Sequence, residues 1–312
     1  MAKFMVTGGA GFIGSHICEF LIDKGHEVIV YDNLSTGNLE NLSVIKGKIQ
    51  FIKGDICDYN TLFNSMKGVD FIIHHAAEIS VFKSLEDPVF AANVNVMGTI
   101  NVLQSAKENK VKRCTLASSS AIYGDTGTNA QKENFLPKPI SPYGASKICD
   151  EYYYSVFSQI YDIETVVLRY FNVFGPRQNP KSQYAAVIPI FIDKIIQNKE
   201  IYINGDGNQT RDFVFVKNVA MANYLACTVP NISGEVFNIA SNNSITINQL
   251  AEKLLKISGK DVKIIHKEPI IGDIRYSVAN IDKAQLTLGY NPEISFDNGL
   301  KITYNYFCKS YL

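Results

Sequence analysis

Thr7-Gly8-Gly9-Ala10-Gly11-Phe12-Ile13-Gly14 decides the fold. It follows a β-rich run, Lys3 to Thr7, and opens a segment in which Ile13, Ile17, Phe20 and Leu21 recur at helical spacing. Glycines at 8, 11 and 14 let the chain turn tightly, bring backbone N–H groups against a pyrophosphate and seat helix on strand, while the helix N-terminus adds positive partial charge. Asp32 closes the next β-rich run, Glu27 to Tyr31, 18 residues beyond Gly14. A carboxylate there accepts hydrogen bonds from both hydroxyls of an adenosine ribose and repels a 2′-phosphate, so NAD is expected rather than NADP. An incidental Asp after a glycine-rich turn is the competing reading, and the β-α-β context weighs against it.

Working outward, further strands are expected at Ile49 to Lys53, Phe71 to His74, Arg113 to Ser118 and Glu164 to Arg169, with helical patterns between them. Strand and helix alternating at this spacing predict an α/β fold, a Rossmann-type doubly wound parallel sheet covered on both faces. Asp55, after the third strand, falls at the same carboxyl edge, where an adenine contact and a plain turn are both open readings. Beyond Phe174 the alternation breaks at Gly175-Pro176, Asn179-Pro180 and Gly205-Asp206-Gly207. The expected organisation is a cofactor domain over 1–174, to which 213–240 returns through a strand at Glu235 to Ala240, and a smaller substrate lobe over 175–312.

The chain has 312 residues with 30 Lys+Arg against 30 Asp+Glu. Zero formal charge without a basic run argues against general nucleic-acid binding, which needs many phosphate-neutralising contacts. The longest apolar run, Ala185 to Ile192, is too short for a bilayer, and the N-terminal segment lacks the apolar core of a secretory signal; a cytoplasmic, non-membrane protein is expected. Six scattered cysteines without a CxxC read as reduced thiols. His74 and His75 are adjacent on a strand and point to opposite faces, so no metal site is expected.

Tyr143 and Lys147 stand at i and i+4, on one helical face. An ammonium there favours the phenolate form that a general base requires. Such a pair arises by chance in a chain with 17 Tyr, but Ser118-Ser119-Ser120 closes the fifth strand, where a hydroxyl reaches the same substrate oxygen. Glycine turn, strand-end serines and Tyr/Lys pair come in the order that assembles one site at the sheet's carboxyl edge.

These segments, with Asp32-Asn33-Leu34-Ser35-Thr36-Gly37, Ala121-Ile122-Tyr123-Gly124, Arg169 to Pro176 and Gly205 to Phe213, resemble an extended short-chain dehydrogenase/reductase, and within that superfamily the UDP-hexose 4-epimerases. The resemblance covers nearly the whole chain. It implies that Tyr143 takes the proton of a sugar 4-hydroxyl while the C4 hydride passes to NAD, with Ser119 as the catalytic hydroxyl and Lys147 completing the set. It implies further cofactor contacts from Gly8, Gly11, Phe12, Ile13, Gly14, Asn33, Thr36, Gly37, Ile56, Ala76, Ala77, Asn95, Ser118 and Tyr170, besides Asp32, Asp55, Tyr143 and Lys147. Substrate contacts are implied at Ser119, Ser120, Tyr143, Asn172, Ala186, Val187, Tyr202, Arg211, Asp273 and Ser277, with Arg211 on the UDP phosphates.

Sister dehydratases carry an Asp-Glu pair where this chain has Ser120 and Ala121, so no acid/base is in place for elimination and return of the hydride is the outcome left. The residue five after Gly272, Ser277, matches a family position that gates the sugar 2-substituent; its small side chain implies room for an acetamido group. Tyr184 to Pro189 resembles epimerases of N-acetylated sugars, although a helix start is the plain alternative. Ile270 replaces the arginine that usually holds the second phosphate, leaving Arg177 or Arg275 to compensate. The expected activity is C4 epimerisation of UDP-GlcNAc/UDP-GalNAc and UDP-Glc/UDP-Gal. The alternatives are a UDP-glucuronate 4-epimerase, using Arg177 or Arg275 on the C6 carboxylate, and a non-catalytic NAD-sensing protein. The resemblance also implies a homodimer built from the helices near Asn93 to Asn109 and Tyr143 to Tyr161.

Overall fold

A computed structural model describes residues 1–180, 186–269 and 274–310. The strands, in chain order, are β1 (Lys3–Thr7), β2 (Glu27–Asp32), β3 (Gln50–Lys53), β4 (Phe71–His74), β5 (Arg113–Ser119), β6 (Glu164–Tyr170), β7 (Asn172–Phe174), β8 (Ile201–Asn204), β9 (Thr210–Phe215), β10 (Glu235–Ile239), β11 (Ser244–Thr246), β12 (Ile264–Lys267) and β13 (Tyr276–Ser277). The α-helices are α1 (Phe12–Asp23), α2 (Tyr59–Ser65), α3 (Val81–Glu86), α4 (Pro88–Ala92), α5 (Gly98–Glu108), α6 (Pro142–Ile160), α7 (Val187–Ile196), α8 (Val216–Thr228), α9 (Ile247–Ser258) and α10 (Phe296–Ser310). A π-helical turn, Asn93–Met97, joins α4 to α5.

Seven of the strands form one parallel sheet in the order β10-β6-β5-β4-β1-β2-β3. The order reverses at β1, whose neighbours are β2 and β4, and this switch opens a crevice beyond the strands' carboxyl ends. Period-2 alternation explains why both faces are buried. Met5, Ile29, Ile72, Leu116 and Val167 face the side covered by α5 and α6, whereas Phe4, Val6, Val28, Val30 and Ile73 face that of α1 and α8. No helix among the described residues is long and apolar enough to cross a membrane.

The rest of the second half carries its own core, in which Phe174, Phe213, Phe215 and Phe296 pack with Ile188, Ile192 and Leu250 of α7 and α9. The central strand of a small sheet, β9, pairs with β7, β11 and β13. Phe12 and Ile13, at the start of α1, pack against this second core, so the glycine turn lies on the seam between the halves. The seam is also latched by polar contacts: His16 Nε2 lies 3.0 Å from the Pro176 carbonyl, and Arg177 pairs with Glu19 and donates to Ser15.

Helix α6 starts where Ser141 caps it, accepting from Gly144 N at 3.1 Å, with Pro142 in the first turn where no N–H is needed. One turn beyond Lys147, its Glu151 carboxylate is buried and receives Arg169 Nη2 at 2.7 Å and Nε at 3.0 Å. Arg169 Nη1 donates to Tyr123 Oη and the Glu133 carbonyl. Replacing Arg169 by Met strands the Glu151 charge in the interior, and the expected loss is about 3 to 5 kcal/mol, read as the urea midpoint. An Arg169→Met/Glu151→Gln double variant recovers part of it; equal stability of wild type and single variant would refute this role for the pair.

Candidate active site

The glycine turn is built by close backbone approach. Gly8 adopts φ +69°, and a Cβ on it would lie 2.7 Å from Ala76 N; a Cβ on Gly14 would overlap the Gly8 carbonyl oxygen. Thr7, the last residue of β1, accepts hydrogen bonds from His75 N and Ala76 N at 3.2 Å each. The end of β4 is thereby held against the turn, with Ala76 packed on Gly8 and Gly8 on Gly14.

Asp32, at the end of β2, accepts from Ala10 N at 2.9 Å on Oδ2 and from Leu34 N at 2.8 Å on Oδ1. Burial raises its pKa, and the two N–H groups oppose that rise. Each oxygen retains acceptor capacity for a ribose hydroxyl. Gly37 approaches so closely that a Cβ would lie 2.8 Å from Oδ1, which places Thr36-Gly37 over the same carboxylate. Asn33 donates to Asp55 Oδ2 and Cys57 N to Asp55 Oδ1. Burial pushes the Asp55 pKa up, but these hydrogen bonds outweigh it and leave it lowered. Ile56 packs over Gly98 at the head of α5. This cradle of glycines, one ribose-facing carboxylate and converging strand ends fits NAD.

Tyr143 and Lys147 share the face of α6 turned to the sheet, Lys147 being buried and Tyr143 partly exposed. Tyr143 N donates to Ser84 Oγ of α3 at 3.1 Å, and Lys147 Nζ lies 3.4 Å from Asp150 Oδ2. Ser119 Oγ caps the turn after β5 by accepting from Ala121 N at 3.1 Å. That turn touches the first turn of α6, since a Cβ on Gly144 would sit 2.9 Å from the Ala121 carbonyl oxygen. The turn that carries Ser119 and Ser120 therefore lies against the first turn of α6, which carries Tyr143, with Lys147 one turn further on.

Three of the expected cofactor residues hold protein partners with their side chains. The Ser118 hydroxyl is buried and donates to Glu151. The Tyr170 hydroxyl is held by Asn223 and by His75 Nε2 at 2.9 Å. The Asn95 amide is spent on scaffolding, accepting from Glu78 N and donating to the Glu78 carbonyl and Ser146 Oγ. His74 and His75 do diverge: His74 is wedged between Thr7 and Thr99, His75 beside Tyr170 and Asn223. Burial lowers both, His75 to about 4, so the imidazoles are neutral.

In the second half, Asn172 on β7 donates to the Asp212 carbonyl, and Arg211 and Ser277 are register partners on β9 and β13. Asn172, Arg211 and Ser277 are therefore gathered on one small sheet. Ala186 and Val187 form the start of α7. Tyr202 stands on the separate β8–β12 sheet, its hydroxyl on Glu200 and its ring 3.8 Å from Lys267 Nζ. Arg275 forks onto Asp206 with two 2.7 Å hydrogen bonds, and Arg177 is taken up by Glu19. Asp273, Gly272, Ile270 and Tyr184 lie outside the described residues.

Residues 4–240 match the model of the NAD dependent epimerase/dehydratase family. The chain belongs to that family. Its sequence is 41% identical over 304 residues to a Methanocaldococcus jannaschii protein provisionally named a UDP-glucose 4-epimerase, with 97% of each chain covered. Its fold matches the Thermotoga maritima UDP-glucose 4-epimerase crystallised with UDP-glucose, at TM-score 0.94 and 38% identity over 99% of this chain and 100% of that one. It matches equally the Methanobrevibacter ruminantium UDP-N-acetylglucosamine 4-epimerase in complex with UDP-N-acetylmuramic acid, at TM-score 0.95 and 38% identity over 99% of both chains.

Within the epimerase/dehydratase family the chain is an NAD-dependent isomerase of the UDP-sugar 4-epimerase group, on the Rossmann-type sheet expected from the glycine turn. Sequence reasoning missed Thr7, Ser84, Thr99, Asp150 and Asn223, which hold the site residues from behind. Asp150 and Glu151 were within reach, because charges three and four residues after Lys147 fall on the same helical face. Ser84 and Thr99 carry no local signal. For the site as assembled, Tyr143→Phe is expected to leave NAD affinity within a few-fold and to cut turnover by at least about 10²-fold, the usual worth of a general base. Near-normal turnover in a coupled assay would remove Tyr143 from that role.

Proposed function

We propose that the protein interconverts the C4 epimers of UDP-GlcNAc/UDP-GalNAc and of UDP-Glc/UDP-Gal. The observation that carries this reading is Ser277, a small, buried side chain in register with Arg211. With Arg211 on the diphosphate, Ser277 borders the sugar and leaves volume for a 2-acetamido group, and the structural match to a UDP-N-acetylglucosamine 4-epimerase supports the same assignment.

NAD, when bound, supplies the acceptor and then the donor of the C4 hydride. Tyr143 takes the proton of the 4-hydroxyl, Lys147 supports the phenolate by its charge, and Ser119 hydrogen-bonds the same oxygen. Ser120 and Ala121 offer no carboxyl group, so the chain has nothing at that turn with which to eliminate water, and the proton on Tyr143 returns to the sugar oxygen. The glucuronate alternative is less well supported, because Arg177 and Arg275 each already hold a carboxylate of the protein. A sensor without catalysis has no need of Ser119, Tyr143 and Lys147 together.

We also propose a homodimer through α5 and α6, as the exposed side chains of Tyr152, Val156 and Ile160 lie along α6 and that of Met97 on the π-helical turn that leads into α5. Light scattering at micromolar concentration is expected to give twice the chain mass; a single-chain mass would overturn it.

A panel of UDP-Glc, UDP-GlcNAc and UDP-GlcA, with NAD added and products separated by chromatography, tests the function. Conversion of the first two is expected, and conversion of UDP-GlcA alone would replace this reading by the uronate one. Ser277→Tyr overfills the space by the equivalent of about 1 to 3 kcal/mol, a roughly five- to 150-fold loss of kcat/KM for UDP-GlcNAc with UDP-Glc largely spared. Equal losses on both sugars would mean that Ser277 does not border the 2-position.

A further inference from the structure

Helix α6 buries Lys147, Asp150 and Glu151 along one stripe. Glu151 is matched by Arg169 and by the Ser118 hydroxyl. Asp150 is provided for differently. It is fully buried, its Oδ2 lies 3.4 Å from Lys147 Nζ, and its Oδ1 makes no hydrogen bond.

The groups around the pair come from three elements. From α5 the Thr99 hydroxyl faces the carboxylate. From the end of β4 come the neutral His74, between Thr7 and Thr99, and His75. From α6 itself come Glu151 and the buried Tyr154 phenol, together with Tyr143 one turn before the lysine. Lys147 is the cation that opposes the cost of burying Asp150, and Glu151 adds to that cost. An i,i+3 ion pair that merely stabilises a helix belongs on its exposed face; in the interior, desolvation of both charges consumes the gain. A poorly hydrogen-bonded carboxylate against the lysine of a proton-transfer set therefore points to use rather than to stability.

We propose that Asp150 is a positioning residue: it fixes the Lys147 ammonium and offsets part of its charge, and so sets the pH range in which Tyr143 works as the base. The proposal rests on the epimerase reading for its catalytic consequence. The signs follow from electrostatics. The carboxylate disfavours a second negative charge on the Tyr143 phenol, two turns before it on the same helix, and favours a proton on the lysine. Removing its charge without changing its shape makes the phenolate easier to form and the ammonium easier to lose. Both limbs of the pH profile then move to lower pH. Burial first, opposed by Lys147, pushes the Asp150 carboxyl up to about 6, so below that pH the wild-type side chain is itself uncharged.

The test compares kcat/KM for UDP-Glc against pH in the NAD-loaded wild type and Asp150→Asn. The expected result is a displacement of both limbs to lower pH by about one unit, with the two curves approaching each other below about pH 6. Unmoved limbs, whatever the change in kcat, would overturn the proposal, since a merely structural role scales the profile without shifting it. If Asp150→Asn fails to fold, Asp150→Ser carries the same measurement. A second readout needs no turnover: tyrosinate absorbance, taken as the difference from the matching Tyr143→Phe protein, titrates at lower pH in the Asp150 variant than in wild type, and coincident titrations would sink the pairing. Absence of epimerase activity in the wild type would instead count against the functional reading, with the spectroscopic arm still deciding the role of Asp150.

Discussion

The buried pairing of Arg169 with Glu151 is the constraint on which the site's geometry depends. Arg169 belongs to β6, Glu151 to α6, and the Ser118 hydroxyl of β5 donates to the same carboxylate. Lys147 precedes Glu151 by one turn, and Ser119 follows Ser118 directly. One ion pair therefore fixes, at a distance of one helical turn and one strand residue, both sides of the proton-transfer set. Such a pair adds little to stability over an apolar replacement of the same shape, but its hydrogen bonds have one geometry, and a helix held by packing alone could rotate or slide against the sheet. The remaining guanidinium donors are used on Tyr123 and the Glu133 carbonyl, and the Tyr123 hydroxyl donates in turn to Asn238 of β10. Orientation of α6 is thus carried across the strands β5, β6 and β10.

A second constraint acts at the strand-order switch. Gly8 and Ala76 approach closely because Thr7 gathers the N–H groups at the end of β4. The same threonine also orients His74, whose other nitrogen lies against Thr99 of α5. The glycine turn and the polar layer of His74 and Thr99 consequently share one residue, Thr7.

Legibility in the sequence follows from the range of the forces involved. The strands of the main sheet were readable because period-2 burial and β-branched runs are local, and even the strand over Glu235–Ile239, far along the chain, announces itself by its apolar pattern. The glycine turn and Asp32 were readable because they are fixed in spacing by one β-α-β unit. The side-chain partners of Ser118, Tyr170 and Asn95 were not, since each lies at least 17 positions away, Glu78 for Asn95 and Glu151 for Ser118 among them, and no local pattern records that pairing. Arg177 and Arg275 looked available for a second phosphate for the same reason, as their carboxylate partners Glu19 and Asp206 become neighbours only in the folded chain. Conversely, the buried stripe of α6 was written in the sequence at helical spacing, and only its polarity concealed that it faces inward.

The seam between the two halves explains how chemistry and substrate choice can be separate properties of one chain. Tyr143, Lys147 and Ser119 stand on elements of the parallel sheet and its helices, whereas Arg211 and Ser277 stand on strands whose core is the phenylalanine cluster around Phe174. These two cores meet at Phe12 and Ile13, at the head of the helix that opens the glycine turn, and are latched there by His16 on Pro176 and by Arg177 on Glu19. With Ser277 placed as proposed, a side-chain change on β13 alters the space beside it without touching the hydrogen bonds that orient α6. A change in the Glu151–Arg169–Ser118 cluster, by contrast, disturbs the proton-transfer set for every substrate alike. Under the proposed assignment, discrimination between sugars is set on the small sheet, where side-chain volume is the variable, while the orientation of α6 is set by a buried ion pair on other elements.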